Sequence, residues 1–221
     1  MDFCDIITYV IRSKTFVIEW KTAVLWRFCM SAKVKITKDV IIDAGFEIVR
    51  EEGEEKLSVR NIAKRLGCST QPIMYCYPKT DVLRSDILEK ANAYHTKFLA
   101  RSNEDNENIL IYIGMNYIRF AEEEKNLFRF IFLSDKNEGS GMADIINNED
   151  ILKLVAGRSG IRPEQAKDVF ESLFVSFHGY ATMIAYKMIE FDEKHCRKQL
   201  NRIYIGTVKC IKTEDTTIIM S

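Results

Sequence analysis

The stretch SVRNIAKRLGCSTQPIMYCY, residues 58–77, has the pattern of two short helices joined by a tight turn. Ser58 is a good N-cap for the first helix, in which apolar residues recur at spacings of three and four. Gly67 marks the end of that helix, because glycine readily takes the left-handed conformation that closes many helices. The stretch therefore predicts a compact pair of helices with a glycine at the corner.

The second helix of the pair is predicted over residues 71–77. Ser69 or Thr70 is its expected N-cap, and Pro72 lies in its first turn, where a missing N–H costs nothing. Packing Ile73 and Tyr77 against the first helix leaves a set of side chains pointing outward. They are Thr70, Gln71, Met74 and Tyr75.

A steeply crossed helix pair with a short glycine-containing turn is the helix-turn-helix arrangement, whose second helix enters the major groove of DNA. The local charge agrees, because residues 57–80 contain no acidic side chain although the whole chain has 32 acidic and 32 basic residues. The basic residues of the stretch are Arg60, Lys64, Arg65 and Lys79. An ordinary helical hairpin with a solvated basic face is the alternative.

The longer run LSVRNIAKRLGCSTQPIMYCYPKTDVL resembles the DNA-binding domain of the TetR/AcrR family of transcriptional regulators. The family pattern starts with a helix that ends in glycine, here residues 44–53. It continues with a hydrophobic-x-hydrophobic-x-x-Ile-Ala motif and a Gly-Val-Ser type of turn. A recognition helix with an aromatic pair comes next, and the helix after it starts with an acidic residue. The matching residues are Leu57, Val59, Ile62, Ala63, Gly67, Cys68, Ser69, Tyr75, Tyr77, Asp81 and Leu83.

The resemblance covers about residues 36–88 and implies an all-α protein. Its N-terminal three-helix DNA-binding domain would contain the helix-turn-helix, and a C-terminal helical domain would bind a ligand and dimerise. Met74 stands where the family usually has a phosphate-contacting tyrosine, and Thr80 where a lysine is usual. The residues expected to contact DNA are Lys38, Ser58, Arg60, Ser69, Thr70, Gln71, Pro72, Met74, Tyr75 and Lys79.

Composition indicates a globular protein, with 47% apolar residues among 221. A net charge of zero argues against a general polyanion binder, so a nucleic-acid surface has to be a local patch. The six cysteines form no CxxC pair and no disulfide framework, which favours the cytoplasm. We find no phosphate loop, HExxH motif or nucleophile elbow, and the three histidines lack metal-ligand spacing. We therefore expect neither an enzyme nor a cofactor.

We divide the chain into three segments. Residues 1–29 are an extension, residues 30–80 the helix-turn-helix DNA-binding domain, and residues 81–221 the helical regulatory and dimerisation domain. Charged residues interrupt every apolar run of the extension, so it predicts neither a membrane span nor a signal peptide. An upstream translation artefact and a real extension packed on the body are the alternatives.

Helical periodicity continues through the remainder of the chain. A first helix is predicted from an N-cap at Thr37 to Glu52, with Gly53 ending it. A long helix over residues 81–99 connects the two domains, and the polar residues 101–108 form a loop. Further helices are predicted over residues 109–124, 126–133 and 150–158, with loops at 135–141 and 160–163.

Two long amphipathic helices end the chain. The first is predicted from Pro163 to Met188, over about seven turns, and the second over residues 193–212. The apolar face of these helices is wider than packing within one chain requires. In the resembled family the last two helices of each subunit form a four-helix dimer interface. Core packing within one chain is the alternative. The expected interface residues are Phe177, Tyr180, Ala181, Ile184 and Ile203.

Many aromatic and methionine residues lie between residues 109 and 188, and in the resembled family such a body encloses a mainly apolar pocket for a small molecule. The run SFHGYATM resembles a Trp-His-Gly signature of one group of family members, with Phe177 in place of Trp. A core histidine with a satisfied hydrogen bond is the alternative for His178. The expected ligand-binding residues are Tyr112, Tyr117, Phe128, Phe174 and His178.

The sequence thus predicts a homodimeric DNA-binding transcriptional regulator, a repressor that a small-molecule effector releases from a palindromic operator. Its expected partners are double-stranded operator DNA, a second copy of the chain and the effector, with no membrane. The alternative is a dimeric helical interaction protein that has lost DNA affinity, because Met74 and Thr80 replace the usual contacts.

Overall fold

The computed structural model describes residues 36–101, 108–137 and 147–220, with side chains up to Glu214 in the last range. Over these residues the fold is all-α, as predicted, and residues from Thr37 onward belong to one compact unit. The extension at 1–29, the loop at 102–107 and the last part of the loop at 135–141 lie outside the described residues. The helices are α1 (Lys38–Glu52), α2 (Val59–Leu66), α3 (Thr70–Cys76), α4 (Thr80–Leu99), α5 (Ile109–Glu123), α6 (Lys125–Phe132), α7 (Glu149–Ser159), α8 (Ala166–Ala185) and α9 (Glu193–Met220), with 3-10 turns at Glu54–Lys56 and Pro163–Gln165.

The predicted caps of the first two helices are confirmed. The Thr37 hydroxyl accepts a hydrogen bond from the Val40 amide at 3.4 Å, and the Ser58 hydroxyl accepts one from the Asn61 amide at 3.2 Å. Gly67 ends α2 in the left-handed region, with φ of 64°. The two hydroxyl groups pair backbone N–H groups that a helix start leaves unpaired, and the conformation of Gly67 turns the chain out of the helix. These helices therefore start and stop at these residues.

Helices α1, α2 and α3 form the predicted three-helix module, whose centre contains Ile41, Ile62 and Ile73 with no exposed surface. The module packs on α4 through α1. Gly45 permits this close approach, because a Cβ atom there would overlap the side chain of Ile87 on α4. The three-helix module and the connecting helix are therefore joined by direct packing of two helices.

The body is built around α5, which packs on α4, α6, α8 and α9. Ile111, Met115 and Ile118 of α5 are fully buried. Gly114 lets α8 approach closely, since a Cβ atom there would lie 3.0 Å from Cδ1 of Phe177. Helix α5 is thus the central element against which the helices of the body bury their apolar faces.

The two last helices differ from the prediction in length. The segment from Pro163 starts as a 3-10 turn, and α8 ends at Ala185, where Arg129 of α6 donates hydrogen bonds to the Ala185 carbonyl. Lys187 then takes a left-handed φ of 57°, so the chain turns away and Met188 lies beyond the helix, 70% exposed. Helix α9 continues past the predicted end at residue 212 and is the longest of the described helices. The other helix boundaries shift by one residue or less.

Candidate DNA interface and internal cavity

Helix α3 presents the predicted side chains to solvent. Tyr75 is 88% exposed and Met74 is 43% exposed, whereas Ile73 and Tyr77 on the opposite face are buried. The orientation predicted for this helix is therefore confirmed. Thr70, Gln71, Ser69, Ser58, Arg60, Lys38 and Lys79 are also exposed, and Pro72 is half-buried.

Tyr77 has a structural role in place of a DNA contact. Its hydroxyl donates a hydrogen bond to Oδ2 of Asp86 on α4 at 2.6 Å. Burial and this hydrogen bond raise the pKa of Tyr77. The ammonium group of Lys38 lies 5.1 Å from the centroid of the Tyr77 ring. Of the predicted aromatic pair, only Tyr75 is thus free to meet a partner.

The basic residues of the helix-turn-helix divide into two groups. Arg65 forms a bidentate ion pair with Glu51 of α1, with N–O distances of 2.7 and 2.8 Å. This pair raises the pKa of Arg65 and lowers the pKa of Glu51. In the described part of the chain, no carboxylate pairs with Arg60, Lys64 or Lys79. We call these three residues the basic patch. Their charges are not neutralised by neighbours and remain available to phosphates.

An ion pair between the exposed Arg50 and the buried Glu124 joins α1 to the body. Arg50 of α1 donates from Nε to Oε2 of Glu124 at 2.8 Å and from Nη2 to Oε1 at 2.6 Å. Tyr94 of α4 donates its hydroxyl proton to Oε1 of the same carboxylate at 2.7 Å. Only 8% of the Glu124 side chain is exposed, so these hydrogen bonds take the place of hydrogen bonds to water. We call Arg50, Tyr94 and Glu124 the first clamp.

A second clamp lies at the other end of the junction. Arg84 of α4 donates from Nε to Oε1 of Glu54 at 2.8 Å, and from Nη2 to the side chains of Ser134 and Asn137 after α6. The pKa of Glu54 is lowered overall. Burial alone would raise it, but hydrogen bonds from Arg84 and Ser134 have the larger combined effect. Both clamps connect the module to α4 and to the ends of α6.

A cavity of about 140 Å³ lies in the body between α4, α5, α7 and α8, and Leu154 of its lining is 37% exposed at the surface. Most of its lining is apolar, and its polar side chains are His95 of α4 and Tyr117 of α5. Phe174, which was predicted as a ligand contact, also lines it. The full lining consists of His95, Leu99, Leu110, Ile113, Tyr117, Ile151, Leu154, Phe170, Leu173, Phe174 and Phe177.

His95 is the polar residue of the cavity that the sequence prediction missed. Its Nε2 atom is buried and has no hydrogen-bond partner among the described residues. Its ring packs edge-on against Phe120 and Phe132, with centroids 4.8 and 5.1 Å away. Burial lowers its pKa to about 4, so the imidazole is neutral at physiological pH. A lone histidine on a connecting helix carries no local signal, since only the fold brings it to the cavity.

Solved structures identify the fold, whereas no protein-family model and no curated protein sequence matches the chain. A TetR-like transcriptional regulator from Rhodococcus sp. RHA1 is similar over 76% of this chain and 92% of its own, with a TM-score of 0.56 and 12% identity. A member of the TetR family from Streptomyces coelicolor A3 is similar over 75% and 96%, with a TM-score of 0.53 and 19% identity. The chain has the TetR fold. The multidrug binding protein EbrR in complex with ethidium is similar over 75% and 97%, with a TM-score of 0.53 and 20% identity.

The other predicted ligand residues, Tyr112, Phe128 and His178, do not line the cavity. His178 hydrogen-bonds through Nδ1 to the Tyr117 hydroxyl at 2.8 Å, and its ring stacks on Phe174. His178 is half-buried and its hydrogen bond is satisfied, which agrees with the alternative given for it, and its role as a ligand contact stays a prediction. Phe128 packs behind Tyr117, with ring centroids 5.6 Å apart. Tyr112 donates its hydroxyl proton to the carbonyl of Arg101, so its polar group is already used.

The predicted dimer residues do not all lie on an outer face of the TetR fold. Phe177, Ala181 and Ile184 are 5%, 0% and 1% exposed within a single chain, because they face α5 and α9 and fill the core. Tyr180 and Ile203 are half-buried. Among the large apolar side chains of α8 and of α9 up to Glu214, the exposed ones are Val175, at 62%, and Ile205, at 48%.

Two further features of the described residues bear on function. Their helices include none with the length and apolarity needed to cross a membrane. Their His, Cys, Asp and Glu side chains form no group of three that would hold a metal ion.

Proposed function

We propose that this protein is a cytoplasmic, homodimeric transcriptional regulator that binds a palindromic DNA operator. The observation that carries the proposal is the exposed face of α3, on a helix-turn-helix within a TetR fold. Thr70, Gln71 and Tyr75 offer hydroxyl and amide groups on the helix that a helix-turn-helix inserts into the major groove. We keep the division into a DNA-binding domain up to residue 80 and a regulatory domain after it.

The basic patch supports the proposal through its charge. Arg60, Lys64 and Lys79 are exposed and lie in a stretch without acidic residues. In a chain with no net charge, such a patch limits DNA affinity to one surface and orients the helix pair on the duplex. Lys38, Ser58 and Ser69 are further exposed groups from which we expect phosphate contacts.

We propose that α8 and α9 form the dimer interface. Val175 and Ile205 expose apolar side chains on these helices, which a second copy would bury. Gly179 and Gly206 have no atom near the position of a Cβ, so close approach of a second helix is unobstructed. We retain Tyr180 and Ile203, which are half-buried, as contacts in this interface.

We propose that the cavity holds a small-molecule effector and that binding releases the protein from DNA, which makes it a repressor. A mainly apolar cavity with one or two polar groups is the usual form of such a site. The structurally similar EbrR is a multidrug binding protein, which agrees with an effector site in this fold. His95 and Leu99 of the cavity share α4 with Tyr94 and Arg84 of the two clamps, so α4 is the expected route from effector to DNA.

The test is an electrophoretic mobility shift of the full chain on the DNA upstream of its own gene, at several salt concentrations. We expect a specific shift that an unrelated duplex of equal length does not compete away. Lys153→Ala, on α7, removes an exposed lysine far from α3 in sequence and should leave the shift unchanged. A dimer in solution without any shift, even at low salt, would favour the second candidate, a helical interaction protein in which Met74 has replaced a DNA contact.

A further inference from the structure

We infer that the cavity between α4, α5, α7 and α8 binds one uncharged hydrocarbon that has a single ring and carries no hydrogen-bonding group. The inference rests on the proposed function, because it names the chemical class of the effector. It is argued from the chemistry of the lining, from the positions of the two polar side chains and from the cavity volume.

The lining presents almost only carbon atoms to the cavity. Phe170, Phe174 and Phe177 follow one another on α8 at spacings of four and three, so they lie on one face of that helix. Aliphatic side chains complete the walls, and none of the described lining side chains is charged. Because moving an ion from water to such a lining is very costly, cations and carboxylates are disfavoured.

Neither polar side chain of the lining offers a hydrogen bond to a molecule in the cavity. The hydroxyl of Tyr117 is already bonded to Nδ1 of His178 at 2.8 Å. Nε2 of His95 has almost no accessible surface, and almost none of the cavity surface comes from nitrogen or oxygen. A ligand hydroxyl would therefore lose its hydrogen bonds to water and gain none in return. The lining selects for a molecule without polar groups.

The volume of the cavity fits a single ring. An engineered apolar cavity of about 150 Å³ stays dry and binds benzene, whereas sites for drug-sized ligands measure roughly 300 to 1,000 Å³. The cavity here, about 140 Å³, has the first of these sizes. Leu154 is the most exposed of the lining side chains, so the cavity is apolar up to its surface end.

Toluene and phenol test the inference on the full-length protein, because they have nearly the same shape and differ only in the hydroxyl group. Isothermal titration calorimetry should show that toluene binds about ten- to a hundredfold tighter than phenol, since a hydroxyl buried without a partner costs that ratio. Benzoate, which carries a charge, should not bind. Failure of toluene to bind, or phenol binding as tight as that of toluene, would overturn the inference.

A cavity-filling variant locates the bound ring. Leu154→Trp should weaken toluene binding at least tenfold, because the larger side chain takes up part of the space between the helices. Leu152→Trp is the matched control, since Leu152 is a half-buried leucine on the same helix that does not line the cavity. It should bind toluene as the unchanged protein does. A folded Leu154→Trp variant with undiminished toluene affinity would place the ligand elsewhere and overturn the inference.

A polar variant keeps the test decisive if Leu154→Trp fails to fold. Ile113→Thr gives the lining a hydroxyl group at a half-buried position of α5. It should reduce the ratio of toluene affinity to phenol affinity by about three- to tenfold, the contribution of one net hydrogen bond. Ile189→Thr, outside the cavity lining, is the control and should leave the ratio unchanged. An unchanged ratio in Ile113→Thr contradicts the inference.

DNA binding separates the two proposals. Saturating toluene should change the operator affinity of the full chain by about five- to 150-fold, the usual range for two coupled sites. Toluene binding that leaves operator affinity unchanged overturns the inference, because such a hydrocarbon is then not the effector. DNA binding without toluene binding also overturns only the inference, whereas toluene binding without DNA binding overturns only the proposed function.

Discussion

His95 illustrates how burial sets the charge of a single side chain. Its folded pKa of about 4 lies below the ordinary histidine value of 6.5, and burial is the cause. The unfolded chain therefore binds more protons than the folded chain between these two pH values. By linkage, the free energy of unfolding rises with pH across this window and is lost as the pH falls through it.

We expect the stability of the protein to fall by up to about 3 kcal/mol between pH 6.5 and pH 4 because of His95 alone. His178, whose pKa burial also lowers, acts in the same direction. Urea unfolding at pH 7.0, 6.0, 5.0 and 4.5 measures this dependence. The free energy of unfolding of His95→Leu should change less with pH than that of the unchanged protein. If both change equally with pH, His95 is not the cause of the dependence.

Gln71 and Lys79 allow base recognition and phosphate contact to be separated at single residues. Gln71→Ala should relax the preference for the operator over a mutated site by roughly 1 to 3 kcal/mol, because a side-chain amide reads base edges. Lys79→Ala should weaken binding to all sequences alike and reduce the salt dependence by about one unit, because it removes one phosphate contact.

Fluorescence anisotropy on the operator and on a scrambled duplex, over a range of salt concentrations, distinguishes these two effects. Lys153→Ala is the control for removal of a lysine outside the basic patch. If Gln71→Ala keeps the full operator preference, the face of α3 assigned to DNA is not the one that reads bases.

Among the elements, α4 connects the module to the body through the two clamps. In the first clamp Glu124 is buried and accepts from both Arg50 and Tyr94. Removing one charge of a buried pair leaves the other unpaired, which is costly, although the partly exposed Arg50 regains some hydration. The hydroxyl of Tyr94 also has its pKa raised, by burial first and by Glu124 second.

Glu124→Gln should therefore lower the free energy of unfolding by roughly 1 to 3 kcal/mol. Glu123→Gln is a closely matched control, because Glu123 is the preceding residue and its pair with Arg101 is half-exposed on both sides. The control should change stability by less than about 0.5 kcal/mol. Chemical unfolding at pH 7 measures both, and equal effects would show that the clamp contributes no more than a surface pair.

At the scale of the whole molecule, the proposed dimer decides how two copies of α3 meet two half-sites. The half-sites are expected about one helical turn apart, roughly 34 to 36 Å, or at a slightly larger spacing. Substituting Phe177 or Ile184 would not test the dimer, since both are core residues of one chain and their loss would destabilise its fold. The test has to use outer residues.

The double variant Val175→Glu, Ile205→Glu should be a folded monomer that binds the operator weakly, because one half-site bound alone loses the effective concentration that the second supplies. Sedimentation and circular dichroism measure the assembly and the fold. Val82→Glu, at an exposed apolar position on α4, is the control and should remain a dimer. A double variant that stays dimeric would place the interface elsewhere.

Effector and operator should also influence each other reciprocally. A ligand of the cavity changes DNA affinity only if it prefers one arrangement of the two DNA-binding modules, and the coupling is typically 1 to 3 kcal/mol. A small molecule that raises the melting temperature of the full chain serves as the ligand. Operator affinity measured with and without it at saturation should differ by this amount, and its own affinity with and without operator should differ equally. A stabilising ligand that leaves DNA affinity unchanged would contradict the switch but not the DNA-binding proposal.

The sequence by itself determined the helix-turn-helix. The caps at Thr37 and Ser58, the left-handed Gly67 and the outward face of α3 follow from residues within a few positions of one another. Such local signals act through backbone hydrogen bonds and helical period, which a sequence displays directly. The all-α class followed for the same reason.

Only the tertiary structure decided which side chains meet in the body. Arg50 and Glu124 of the first clamp are 74 positions apart. His95 reaches the cavity only because α4 packs beside α5 and α8. An apolar stripe marks a buried face but not the surface that covers it, so Phe177 and Ile184 were expected at a dimer interface and lie in the core. Each of these contacts depends on which distant elements pack together. A local sequence pattern does not contain that information.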